Sequence, residues 1–150
     1  MRLDRSLSLL SCIVAAVLAL APACGRKTPV RPPELAAPNP VETLTATNVA
    51  RGIELEWDRP TRYVDGTLML DLAGFRLERG RPCCGFAVHQ VILVEDRQRF
   101  RRAKRFRHVD QSVEPGETYS YRVVAFTLDA YDSVASDTIQ IVREVPPPPP

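Results

Sequence analysis

A chain of 150 residues with formal net charge +2 and 45% hydrophobic residues has room for one domain of about 100 residues plus tails, not for two. The near balance of 20 Lys and Arg against 18 Asp and Glu excludes any polyanion-binding role argued from net charge alone. Four cysteines, two of them within the first 24 residues, exclude a small scaffold held together by disulfides.

In chain order, Arg2 and Arg5 precede a 12-residue apolar run, Leu9 to Leu20, interrupted only by Ser11 and Cys12. At 1.5 Å per residue such a helix is too short for a hydrocarbon layer of about 30 Å, so the run is expected to be a secretory signal and not a membrane span. Small residues Ala21 and Ala23 suit cleavage, and Cys24 follows at once. Ala21-Pro22-Ala23-Cys24 resembles the lipobox of bacterial lipoproteins. That resemblance implies cleavage after residue 23, lipid attachment at Cys24 and a membrane-anchored protein; the alternative is an ordinary signal peptide. Several acyl chains would hold the protein firmly to a bilayer without a spanning helix. In lipoproteins of this kind Asp after the cysteine retains the protein in the inner membrane. In a Gram-negative host Gly25 therefore implies the outer membrane, and Cys24 to Pro29 is similar to the opening of small outer-membrane lipoproteins.

Residues 24–40 hold Pro29, Pro32, Pro33, Pro38 and Pro40 and almost no large apolar side chain, which predicts an extended tether. In polyproline II form, the sixteen residues 25–40 at about 3.1 Å each reach about 50 Å. Without residues 1–23, and hence without Arg2, Arg5 and Asp4, the formal charge is +1.

Residues 41–145 read as a succession of short strands. Leu44 to Val49 is the weakest; Gly52 to Pro60 alternates Ile53, Leu55 and Trp57 with acids. Strands follow at residues 73–80, 86–96, 103–109, 117–127 and 137–142, the sixth placing Tyr119, Tyr121, Val123 and Ala125 on one face. Asp65-Gly66 marks a tight turn in the long connection between the second and third strands. About seven strands and no helix-period segment predict an all-β antiparallel sandwich. Val113 to Val123, with Tyr119 in the place of the tyrosine corner, and Trp57 in the second strand together resemble a fibronectin type III domain. The resemblance implies that fold of the immunoglobulin-like class and makes Trp57, Tyr119 and Tyr121 core residues. Residues 146–150 are a polyproline tail that stops the last strand.

Three features remain as candidate sites. Arg97, Arg99, Arg101, Arg102, Lys104, Arg105 and Arg107 place seven positive charges in eleven residues without an acid, so the rest of the chain beyond residue 23 sums to −6. Such segregation suits an anionic envelope surface or an acidic envelope protein, and equally a solvated edge strand. No nucleic acid is expected beyond a secretory signal. Cys83 and Cys84 are a candidate disulfide, adjacent or intermolecular; their spacing does not suit a shared tetrahedral metal. His89 and His108 lie in different strands, Asp58, Asp65, Asp71 and Asp110 bound strands, and no phosphate loop or nucleophile elbow is present. Neither a cofactor nor catalysis is expected. The sequence thus reads as a membrane-anchored envelope lipoprotein carrying a non-catalytic protein-binding or scaffolding module. The alternatives are a thiol-dependent enzyme using Cys83 and Cys84, or a passive structural subunit.

Overall fold

The computed structural model describes residues 32–95 and 105–144. The signal segment, Cys24 with the first part of the tether, residues 96–104 and the polyproline tail lie outside them.

Seven strands occupy the expected places: β1 (Thr45–Val49), β2 (Gly52–Asp58), β3 (Leu72–Arg81), β4 (Cys84–Leu93), β5 (Arg105–Asp110), β6 (Thr118–Thr127) and β7 (Ile139–Val142). All pairings are antiparallel, in a three-stranded sheet of order β1-β2-β5 and a four-stranded sheet of order β4-β3-β6-β7. The period-2 pattern explains how the sheets face each other. Ile53, Leu55 and Trp57 of β2 are fully buried, as are Phe75 and Leu77 of β3 and Tyr119, Tyr121, Val123 and Ala125 of β6. Each large side chain so buried contributes roughly 1.5–3 kcal/mol. At the centre, Trp57 meets Phe75 edge-on at 5.5 Å and stacks at 6.2 Å on Phe106, which tilts against Phe75 at 4.7 Å. One aromatic trio therefore joins both sheets. The Trp57 indole Nε1 is buried in that trio without a hydrogen-bond acceptor among the described residues.

The tyrosine corner is formed: the Glu114 amide donates to the Tyr119 hydroxyl at 3.0 Å. Gly66 takes φ +81° in the turn within residues 61–71, which only glycine adopts without strain, while Asp65 accepts from the Thr67 amide and hydroxyl. Arg62 and Leu68 form a bridge across that turn, as a small hairpin requires.

The downstream end of the tether departs from a free spacer. Pro38 is fully buried and bridges Tyr63, the Asn39 amide donates to the Arg62 carbonyl, and the Val64 amide donates to that of Ala37. Residues 37–40 dock because the hairpin after β2 offers them backbone partners, which composition alone does not reveal.

The β1 and β7 sides of the two sheets are closed by one arginine. Arg143, only 5% exposed, donates to the carbonyls of Val49 and Ala50 at 2.9 and 3.1 Å, while Asn48 donates to the Val142 carbonyl at 2.8 Å. On the opposite side, where β4 and β5 are the outer strands, the remaining buried polar side chains gather.

Candidate functional site

Asp110 ends β5 with its side chain fully buried between the sheets. Its Oδ2 accepts from Arg79 Nη1 at 2.8 Å and from the Tyr121 hydroxyl at 2.9 Å; its Oδ1 accepts from the Ser112 amide at 2.9 Å and hydroxyl at 2.8 Å. His89 Nε2 lies 3.3 Å from the same Oδ1. His89 gets there because it is the extra residue of a β-bulge, Leu77 pairing with Gln90 and Glu78 with Val88. The bulge turns the imidazole of an outer strand inward, where it meets the ring of His108 edge-on at 6.0 Å. Arg79 continues the inward row of Phe75 and Leu77, so alternation delivers a guanidinium to the sheet interface.

The electrostatics are those of a closed network. Burial pushes the Asp110 carboxyl up, but hydrogen bonds from Ser112, Arg79 and Tyr121 outweigh it and hold the carboxyl below its ordinary range. Burial, and after it the hydrogen bond to Asp110, pushes the Tyr121 hydroxyl far up. Both histidines are shifted down by burial, against the attraction of Asp110; Arg79 and His108 add to the depression at His89. The carboxylate's acceptor capacity is spent on these donors, which suits a cross-sheet clamp better than a general base.

Cys83 and Cys84 sit at the tip of the β3–β4 hairpin, Pro82-Cys83 forming the two-residue turn and Cys84 opening β4 opposite Arg81. Both are exposed free thiols with sulfurs 2.8 Å apart. The Cys84 thiol is held up by its hydrogen bond to Cys83 and by that neighbour's charge, with Arg81 opposing. Arg81 and Arg79 both lie 5.5 Å over the Tyr119 ring.

Two of the seven basic side chains of the 97–107 segment are described, and both face acids of β2. Arg105 contacts Glu56 at 2.8 Å and Asp58 at 3.4 Å; Arg107 contacts Glu56 at 2.9 Å and Glu54 at 3.6 Å. The alternation that buries Ile53, Leu55 and Trp57 turns the acids between them outward, where they line up with the arginines of β5. Arg97, Arg99, Arg101, Arg102 and Lys104 lie outside the described residues, as does Cys24.

A cleft of about 280 Å³ between residues 39–43 and 58–62 is half open and near the small end for ligand pockets. Among the described residues no three His, Cys, Asp or Glu side chains are placed to hold a metal ion, and no helix is long and apolar enough to cross a membrane.

No protein-family model matches the sequence, and no curated protein matches it. Solved structures do match in shape. The sixth fibronectin type III domain of human fibronectin type III domain containing protein 3 superposes with TM-score 0.50 at 16% identity, over 77% of this chain and 93% of that one. The twitchin kinase region from C. elegans gives 0.52 at 12%, over 73% of this chain and 17% of that one. A Fn3-like protein from Clostridium thermocellum gives 0.50 at 13%, over 73% and 96%. At these identities the likeness is one of fold: the domain is a fibronectin type III-like sandwich, and the roles of Trp57 and Tyr119 agree with it.

Proposed function

We propose that the chain is an envelope lipoprotein, held to a membrane by acyl chains on Cys24, whose sandwich is a non-catalytic module that binds or scaffolds an envelope partner. The observation that carries the reading is the order of parts: an apolar run too short to span, a cysteine after small residues, a proline-rich spacer, then a domain whose first packed residues are Pro38 and Val41. Gly25 after the cysteine favours the outer membrane. Asp110 and Arg143 are engaged in holding strands together, so a binding role falls to the surface. Arg105 and Arg107 are matched by β2 acids, so the anionic-partner surface rests on Arg97, Arg99, Arg101, Arg102 and Lys104.

Cross-linking in membranes of the native host tests the module. Reversing charge at Arg99, Arg101, Arg102 and Lys104 should abolish the cross-linked partner, while Cys83→Ser with Cys84→Ser should leave it intact. A second reading, a thiol-redox domain, is favoured by the 2.8 Å approach of the two exposed sulfurs, and it expects the reverse pattern. A passive structural subunit would tolerate both changes.

A further inference from the structure

The outer strands differ in how they are guarded. β1 is five residues long and β7 four, and Arg143 and Asn48 tie them together; β5 carries Arg105 and Arg107 at exposed positions. β4 is ten residues long, Cys-Gly-Phe-Ala-Val-His-Gln-Val-Ile-Leu, without Lys, Arg, Asp, Glu or Pro, and among the described residues its only partner in the sheet is β3. Natural sheet edges are blunted by charge, proline or shortness, and a long uncharged edge is a template for another strand. The outward face of β4 adds an apolar row: Val88 is 53% exposed, Val91 44% and Leu93 68%, and Phe86 carries the Arg122 guanidinium 4.2 Å from its ring centre.

We propose that β4 pairs with β4 of a second copy of this chain, antiparallel about a two-fold axis between His89 and Gln90, to make one continuous eight-stranded sheet. Three observations select a second copy over a foreign strand. First, an uncharged strand meets itself without like-charge repulsion. Second, the ends complement each other, because in antiparallel pairing Glu95 of each copy lies across from Cys84 of the other, whose neighbour on β3 is Arg81. Third, in this register Phe86 faces Leu93 and Val88 faces Val91, so every apolar residue of the outward row finds an apolar partner.

The bulge makes that match geometrically consistent. In an unbroken strand residues 86 and 93 point to opposite faces, so a two-fold axis between two residues would set an outward side chain against an inward one. The extra residue His89 shifts the parity: Phe86 and Val88 face out before it, Val91 and Leu93 after it. A bulge also twists an edge and can discourage pairing, so the register requires both bulges to lie together at the axis.

The test is disulfide cross-linking of the full chain in host membranes, in a Cys83→Ser, Cys84→Ser background so that the hairpin thiols do not contribute. Val88→Cys combined with Val91→Cys should give, after copper–phenanthroline oxidation, a band of twice the chain mass that reductant removes. Either substitution alone should give at most about a tenth as much, since residue 88 of one copy then lies three residues from residue 88 of the other. Both side chains are about half exposed, and a circular dichroism melt matching the serine background shows that the variants fold. A double variant that stays monomeric, equal cross-linking by the single variants, or a product with a different protein each overturns the proposal. Val88→Lys with Val91→Lys supplies an independent readout: the wild-type chain sediments as a dimer and the lysine variant as a monomer, and an unchanged dimer contradicts the assignment.

Discussion

The Tyr121 hydroxyl donates to the Asp110 carboxylate at 2.9 Å across the gap between the two sheets, and Arg79 reaches the same oxygen from β3. Three strands are thereby fixed at one carboxylate, β5 from the three-stranded sheet and β3 and β6 from the four-stranded one. The aromatic trio sets how tightly the sheets pack; the Asp110 network sets where they are pinned beside the open edge.

Removing the carboxylate therefore costs more than removing one donor. Asp110→Ala leaves the Tyr121 hydroxyl and the Ser112 amide without their acceptor and the Arg79 charge without its carboxylate, with only the Ser112 carbonyl and hydroxyl still accepting from it. Breaking a buried charge pair costs about 3–5 kcal/mol, and Arg79, still 24% exposed, places this site at the lower end. Tyr121→Phe removes one donor and should cost about 1–2 kcal/mol. Urea midpoints at unchanged slope measure both.

The histidines predict the pH profile. Burial depresses both below their ordinary 6.5, so the unfolded chain binds more protons than the folded one as the pH falls through that value. Their contribution is complete above pH 6.5 and is lost between there and their folded values. Around His89 stand Asp110, Arg79 and His108, so protonation adds positive charge beside a guanidinium that already shares the Asp110 carboxylate. A second loss follows below pH 3.8, where Asp110, depressed in the fold, takes up its proton. Denaturation at a series of pH values should show both steps, and His89→Gln with His108→Gln should remove the upper one alone.

Tyr119→Phe tests the corner. It removes the acceptor of the Glu114 amide while keeping the ring that Arg79 and Arg81 cover, so the expected cost is about 1 kcal/mol, read from the urea midpoint at unchanged slope.

Gly52 lies against the backbone at the end of β5. A Cβ there would lie 2.1 Å from the Asp110 carbonyl oxygen, so Gly52→Ala must push β2 and β5 apart and should cost at least about 2 kcal/mol. Gly85→Ala meets nothing within 4 Å and serves as the control for altering a strand glycine.

The strands were legible because each buries one face, and Ile53-Glu54-Leu55-Glu56-Trp57 writes that on the sequence directly. Trp57 and Tyr119 were legible because their chemistry is tied to one place in the sandwich. The Asp110 network was not. Asp110 reads as an ordinary strand-ending acid, and His89 sits among apolar neighbours; what joins them is sheet closure and a bulge, both set by long-range register. Two signals did point there: Arg79 continues the inward row of Phe75 and Leu77, and a tyrosine buried as deeply as Tyr121 needs a partner for its hydroxyl. The docking of Pro38 was hidden for the same reason, since its partners come from a hairpin that composition does not place.

The measurement closest to the central claim is the intact mass of the protein extracted from membranes of its own host without reductant. Lipid attachment at Cys24 predicts a species beginning at Cys24 with added acyl mass. An unacylated species lacking residues 1–23, or an uncleaved chain, would contradict it.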